Sequence, residues 1–227
     1  MQKIVLLLIF FISVVIYSQN STIKYTVSTN KALGDNSKDN TLNDVNNALL
    51  NTTLDFQLTF STKESFYELD ELLDDGINSK IASIFFGASK KYYTNVNTKE
   101  CLLQALAYGD LYLVSLEKPN WVLKKENKKI GKYTCYKAVT EYTVVNSKGN
   151  FIKKVTAWYT PQIKGSFGPR GYFGLPGTIL ELQDDKILIS ATEINLLSKK
   201  KNEIKKPIKG KKISKKEYDN LNPPLRN

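Results

Sequence analysis

The 227-residue chain has no histidine, two cysteines, one methionine and, among 33 basic residues, only two arginines, Arg170 and Arg226. Without an imidazole there is no Ser-His-Asp or Cys-His pair to activate a nucleophile near neutral pH, and no His-ligated zinc. Two thiols cannot build a four-thiolate metal site. The scarcity of arginine argues against nucleic acid, because phosphates and base edges are read best by the planar guanidinium fork. Neither a cofactor nor a nucleic-acid partner is expected.

There is a single long apolar run, at the N-terminus. Ile4 to Tyr17 is interrupted only by Ser13, follows Lys3, and ends at Ser18-Gln19. It is shorter than the roughly 20 residues a membrane span needs. It has the layout of a secretory signal peptide over residues 1–18. The mature chain is therefore expected to be exported, periplasmic or secreted; the rival reading is an uncleaved N-terminal anchor. No cysteine follows the run, which excludes a lipoprotein anchor there. Cys101 and Cys135 would then meet an oxidising compartment. Pairing needs Cα atoms within about 7 Å, so a disulfide and two buried thiols both stay open.

The formal charge of +11 is unevenly placed. Residues 199–216 hold ten Lys against Glu203, while residues 19–198 are nearly neutral. The expected organisation is a body over residues 19–198 and a Lys-rich segment over residues 199–227. Such a segment is either a solvated tail or an arm that meets an anionic surface. Ser214 and Glu217 form a capping-box pattern ahead of Tyr218 and Leu221, which predicts a short helix there.

Strand periodicity dominates the body. Ile23, Tyr25 and Val27 alternate with polar residues, as do Leu54, Phe56, Leu58 and Phe60. Leu42, Val45 and Leu49 recur at helical spacing behind Asp39, and Phe66, Leu69 and Leu73 do so ahead of Gly76, a candidate helix stop. Tyr92 and Tyr93 mark a strand, Cys101 to Leu106 suits either state, and Gly109-Asp110 reads as a hairpin turn. From Trp121 onward the pattern is a meander: Trp121 to Lys125, Tyr133 to Val145, Phe151 to Thr160, Thr178 to Gln183 and Ile187 to Leu196, joined by turn residues. The expected fold is mainly β, a single curved antiparallel sheet, half-barrel-like and open, with one or two short helices.

Between two of these strands lies Ser166 to Glu181, with Gly168, Gly171, Gly174 and Gly177 at every third position. No Gly-Lys-Ser/Thr follows, and the spacing misses the dinucleotide fingerprint. Four glycines with Pro169 and Pro176 specify a fixed backbone path instead. The stretch Gly174-Leu175-Pro176-Gly177-Thr178-Ile179 resembles the signature of the GLPGLI family of exported proteins from Bacteroidetes-type bacteria, with Thr178 in place of Leu. Trp121 opening a strand, the run Lys129 to Ala138, the run Ala157 to Pro161, Phe167-Gly168-Pro169 and the Ile213 to Tyr218 ending are similar to the family as well. The resemblance implies an exported protein. It supplies no catalytic residue to carry over.

The loop itself has two readings: a corner that turns one strand into the next, or a rim of free backbone N–H groups with Arg170 as the handle for a carboxylate or phosphate. Trp158, Tyr172 and Phe173 are ordinary core aromatics, or they line the mouth of a half-open sheet holding an apolar ligand. The expectation is a non-enzymatic binding or envelope-interaction module, meeting an apolar ligand or an envelope protein. Its alternative is a hydrolase using carboxylates around Glu181, which needs a second carboxylate about 5 to 9 Å away across a cleft.

Overall fold

The computed structural model describes residues 20–32, 40–71, 76–146, 149–196 and 204–221. Its strands are β1 (Ser21–Thr29), β2 (Leu54–Phe60), β3 (Glu64–Leu69), β4 (Lys91–Asn95), β5 (Glu100–Ala107), β6 (Asp110–Ser115), β7 (Val122–Ile130), β8 (Tyr133–Asn146), β9 (Gly149–Thr160), β10 (Thr178–Asp184), β11 (Ile187–Asn195) and β12 (Lys211–Ser214). Its helices are α1 (Asn40–Asn51), α2 (Ile77–Phe86) and α3 (Lys215–Leu221). The twelve strands form one open sheet in the order β12-β6-β5-β4-β3-β2-β1-β11-β10-β9-β8-β7. Every pairing is antiparallel except β12 with β6. The mainly β, open-sheet expectation is met, with three helices among the described residues rather than one or two.

Two neighbouring register rows show how the alternation becomes a core. Ala138, Ala157, Leu182, Ile189, Val27 and Leu54 are successive cross-strand partners, and none is more than 5% exposed. One residue away, Lys137, Trp158, Glu181, Ser190, Thr26 and Asp55 form the parallel row on the opposite face. A period of two forces this split, so the row of small and branched apolar residues faces the helices and the loop while the charged row faces out.

Three local expectations are corrected. Phe66 and Leu69 lie in strand β3, not in a helix, and Leu73 lies outside the described residues. Immediately after β2, the Ser61 hydroxyl accepts from the backbone N–H of Lys63 and Glu64, at 3.1 Å each. That turn folds the chain back at once, and the ladder with β2 overrides an ambiguous i, i+3 pattern. Gly76 does not end a helix; it precedes α2, whose left-handed closing residue is Gly87 at φ +74°. Helix α2 itself was not foreseen, since no capping side chain and no acidic first turn announces it. Helix α1 matches the Leu42, Val45, Leu49 periodicity, while Asp39 ahead of it lies outside the described residues.

The third correction concerns the C-terminus. Residues 211–221 are not a solvated tail: β12 extends the sheet beside β6, and Tyr218 packs edge-on against Tyr112 with ring centroids 6.2 Å apart. The approach depends on Gly210 at φ +126°, where a Cβ would stand 2.8 Å from the carbonyl carbon of Tyr112. The capping box forms as expected, with Ser214 N–H donating to Glu217 at 2.7 Å and Glu217 N–H to the Ser214 hydroxyl at 3.2 Å. Cys101 and Cys135 are both free and buried. Burial pushes each thiol up to about 11.

Candidate functional site

The glycine-rich loop leaves β9 at Pro161, crosses the inner face of the sheet and returns as β10. Ile163, Phe167 and Leu175 enter the main core and are at most 1% exposed, and Phe173 is buried at 4% exposure. The Phe167 ring lies 6.3 Å from that of Phe60 on β2. Gly177 makes the return sharp. Its φ is +154°, and a Cβ there would lie 2.2 Å from the carbonyl oxygen of Thr160, so only glycine lets the start of β10 close on the end of β9. Fully buried Tyr25 of β1 fixes that start from below, its hydroxyl donating to the Ile179 carbonyl at 2.5 Å.

Part of the suggested rim of N–H groups is already used within the loop. Tyr172 N–H donates to Pro169, Gly174 to Ser166, Gly177 to Leu175 and Ile179 to Phe167, at 2.8 to 3.1 Å. Phe167 and Phe173 add a bridge across the loop. Arg170 sits at φ +54°, left-handed for a non-glycine residue, and its Nη2 donates to the Phe86 carbonyl at 2.9 Å. That carbonyl belongs to the last turn of α2, whose partial negative charge favours a cation. Arg170 therefore ties the loop to a helix end, which accounts for its position without a ligand. It stands close enough to Tyr92 to oppose the effect of burial, which still pushes that phenol up to about 12. Tyr67, ring-to-ring with Tyr92 at 6.1 Å, is buried with a hydroxyl that has no hydrogen-bond partner among the described residues.

Tyr172 is half-buried against Trp121, ring centroids 5.9 Å apart, and the Trp121 indole N–H donates to the Phe173 carbonyl at 2.9 Å. Asp184 accepts from two phenols, Tyr142 at 3.0 Å and Tyr172 at 3.2 Å. Both are held above the ordinary tyrosine range, by burial first and by the Asp184 charge second. Neither Asp184 nor Tyr142 is marked as a site residue by its neighbours in the sequence. The missing signal is register: Tyr142 lies four residues from Ala138 on the inner-facing row, a relation visible only after pairing is known.

Of the four predicted ligand residues, Arg170 and Tyr172 share the loop's inner surface, whereas Phe173 is core. Trp158 is on the other side of the sheet. There it lies between Lys137 and Glu181 in register, with Lys128 Nζ 4.6 Å and Lys137 Nζ 5.9 Å from the ring. Lys128 also reaches both carboxylate oxygens of Glu181 at 2.7 Å. Of the structural-motif residues Gly174, Leu175, Pro176 and Gly177, Leu175 and Gly177 are buried and Pro176 is exposed. Among the described residues no group of three or more His, Cys, Asp or Glu is placed to hold a metal ion. No described helix is long and apolar enough to cross a membrane.

Residues 147–181, which run from the β8–β9 turn through the loop into β10, match a family described as "Protein of unknown function (Porph_ging)". No curated protein matches the chain. Among solved structures, PNGF-II in a P21 crystal form superposes with TM-score 0.53 and 16% identity over 89% of this chain, and the C2 form does so with 0.53 and 15%. This chain spans about a third of the PNGF-II chain, so the shared architecture forms one part of a longer protein there. LprF from Mycobacterium bovis superposes at TM-score 0.30 with 10% identity, over 83% of this chain and 89% of that one. The finding these comparisons carry is a common sheet fold with PNGF-II and a family match centred on the loop.

Proposed function

We propose that the chain is an exported, non-enzymatic interaction module of the cell envelope, of the GLPGLI type, working through its outer surface. The observation that carries this reading is the filled inner face. The chain's own Phe167, Phe173 and Leu175 occupy the place where an apolar ligand would lie, and Trp158, one of the residues assigned to that ligand, points the other way. The hydrolase alternative loses its acid for a related reason. Glu181 is clamped by Lys128 on the outer face of a strand, and its register neighbours are Trp158 and Ser190 rather than a second carboxylate. The PNGF-II likeness supports an architecture able to serve as one part of a larger protein.

The test combines location and mass. Cell fractionation should recover a chain beginning at Gln19 outside the cytoplasm, and native mass spectrometry of it should give the bare polypeptide mass. Retention in the cytoplasm overturns export. A co-purifying apolar molecule overturns the filled-face argument, and glycan turnover abolished by Glu181→Gln overturns the non-enzymatic one.

A further inference from the structure

The C-terminal segment does more than complete the sheet. Residues 204–210 lie over one face of the β5–β6 hairpin before β12 begins, held by Gln104 Nε2 donating to the Lys209 carbonyl at 2.9 Å and by Lys206 bridging both Glu100 oxygens at 2.7 Å. Ile204 packs on Tyr93, Leu102 and Leu113 of the same face. Ile208 and Lys212 border a shallow cleft above Leu102 and Leu113. Three large apolar side chains are nevertheless left in solvent at this corner. Ile208 is 77% exposed, Leu106, two residues from Gln104 on the same strand face, is 60% exposed, and Tyr108 at the hairpin tip is 75% exposed.

The charge around them is positive and only partly compensated. Lys206, Lys211 and Lys215 are paired with Glu100, Asp110 and Asp219. Lys209, Lys212 and Lys216 are exposed and have no carboxylate partner within the described residues. A folded corner that combines protruding Leu, Tyr and Ile with a ring of lysines matches the two attractions of an anionic bilayer: apolar side chains enter the headgroup–acyl boundary while ammonium groups stay with the phosphates. An acidic polysaccharide would use the lysines and gain nothing from Ile208 or Leu106. The absence of arginine from residues 204–221 fits a surface that meets charge without reading geometry.

We infer that the corner formed by the β5–β6 hairpin and residues 204–216 docks on the surface of an anionic lipid bilayer. The inference rests on the interaction-module reading and names the partner. Sedimentation of the mature chain with phosphatidylcholine vesicles, with and without phosphatidylglycerol, tests it. Binding should require phosphatidylglycerol and decline with salt. Lys209→Gln with Lys212→Gln should weaken it about 25-fold, from about fivefold per lysine near a charged surface. Ile208→Ser or Leu106→Ser, which remove apolar surface without adding charge, should weaken it even in low salt, and the same changes should leave binding to a soluble acidic polysaccharide unaltered.

Two controls lie outside the corner: Ile84→Ser on α2, where Ile84 is 85% exposed, and Lys124→Gln with Lys125→Gln on β7, the opposite edge strand of the sheet. Both should bind vesicles as the parent does, and circular dichroism of each variant separates lost docking from lost folding. Equal binding to neutral vesicles, equal loss in the controls, or apolar variants that bind normally would each overturn the lipid assignment. No vesicle binding at all in a chain recovered outside the cytoplasm would overturn the docking inference alone, leaving an envelope protein as the partner.

Discussion

Two segments of this chain without a place in the main meander end up against the sheet, and they do so by opposite means. The loop between β9 and β10 is short of charge and rich in glycine, proline and aromatics; it goes inside, and several of its backbone donors bond within the loop itself. The segment after β11 is rich in lysine; it attaches along an edge through four residues of ladder and one buried ring, Tyr218, and leaves its lysines in water. Burying an unpaired ammonium costs several kcal/mol, whereas burying a Phe or Leu gains about 2 kcal/mol. Composition thus decides which segment can become core. The first segment is part of what holds the fold together, while the second is an attachment whose outer surface is available.

The sharpest way to break this comparison is Gly177→Val. The new side chain has nowhere to go beside the Thr160 carbonyl, and the positive φ is closed to a β-branched residue. The loop then cannot re-enter β10, and the expected result is loss of cooperative melting by circular dichroism, a cost above about 4 kcal/mol. Retained cooperative melting would show that the loop is an attachment too. Removal of residues 199–227 is the matching experiment at the other segment. It deletes the Tyr218–Tyr112 contact and exposes the edge of β6, a loss of about 3 kcal/mol on the scale of large-to-small aromatic changes. The shortened chain should still melt cooperatively, at a lower temperature. A molten product would move the C-terminal segment into the core of the fold.

Much of this was legible in the chain itself. The meander from β8 to β11 came within one or two residues of its observed limits because long alternating runs meet turn residues there, and the capping box before α3 was readable from Ser214 and Glu217 alone. What was not legible depended on contacts distant in sequence. The helical spacing of Phe66 and Leu69 gave way to a ladder set by a turn at Ser61. Helix α2 closes on Gly87 but has no capping side chain or acidic first turn to mark its start. The docking of β12 needs Gly210 against Tyr112, about a hundred residues apart, and the run of lysines around it masks a strand. At the candidate site, Arg170 and Tyr172 were found from the loop's composition. Their partners Phe86, Trp121, Tyr142 and Asp184 come from four other elements or connections, and no local pattern joins them.

The comparison can be sharpened with pH, because a buried thiol lies under the loop. Cys101 lies under the loop, its thiol 3.4 Å from the Gly171 carbonyl, and Cys135 is on β8 beside the exit of the loop. Both are raised by burial from 9.0 to about 11. A raised folded-state value means that the unfolded chain releases its proton first. Stability is then fully present below pH 9.0 and declines as pH rises toward 11, by about 1 kcal/mol per thiol at pH 10. Denaturant midpoints measured between pH 8 and 10.5 should fall, and Cys101→Ala with Cys135→Ala should flatten the slope even though it lowers the starting value. An unchanged slope would assign the decline to the tyrosines, which are raised in the same direction.

The smallest effect is expected on the outer face, where the sequence suggested chemistry and the structure shows an ion pair. Lys128 and Glu181 are about a third and a quarter exposed in their side chains, so solvent screens much of their attraction. Glu181→Gln keeps the shape and can still accept from the ammonium, and should cost no more than about 1 kcal/mol. The change should be felt locally instead. Lys128 stands 4.6 Å from the Trp158 ring and is held there partly by the carboxylate. In a Trp121→Phe background, Glu181→Gln should therefore shift the emission of Trp158 while the melting temperature moves by only a few degrees. A loss comparable to the truncation would mean that the outer row carries the fold as heavily as the inner one, and the division of labour between the two faces would have to be redrawn.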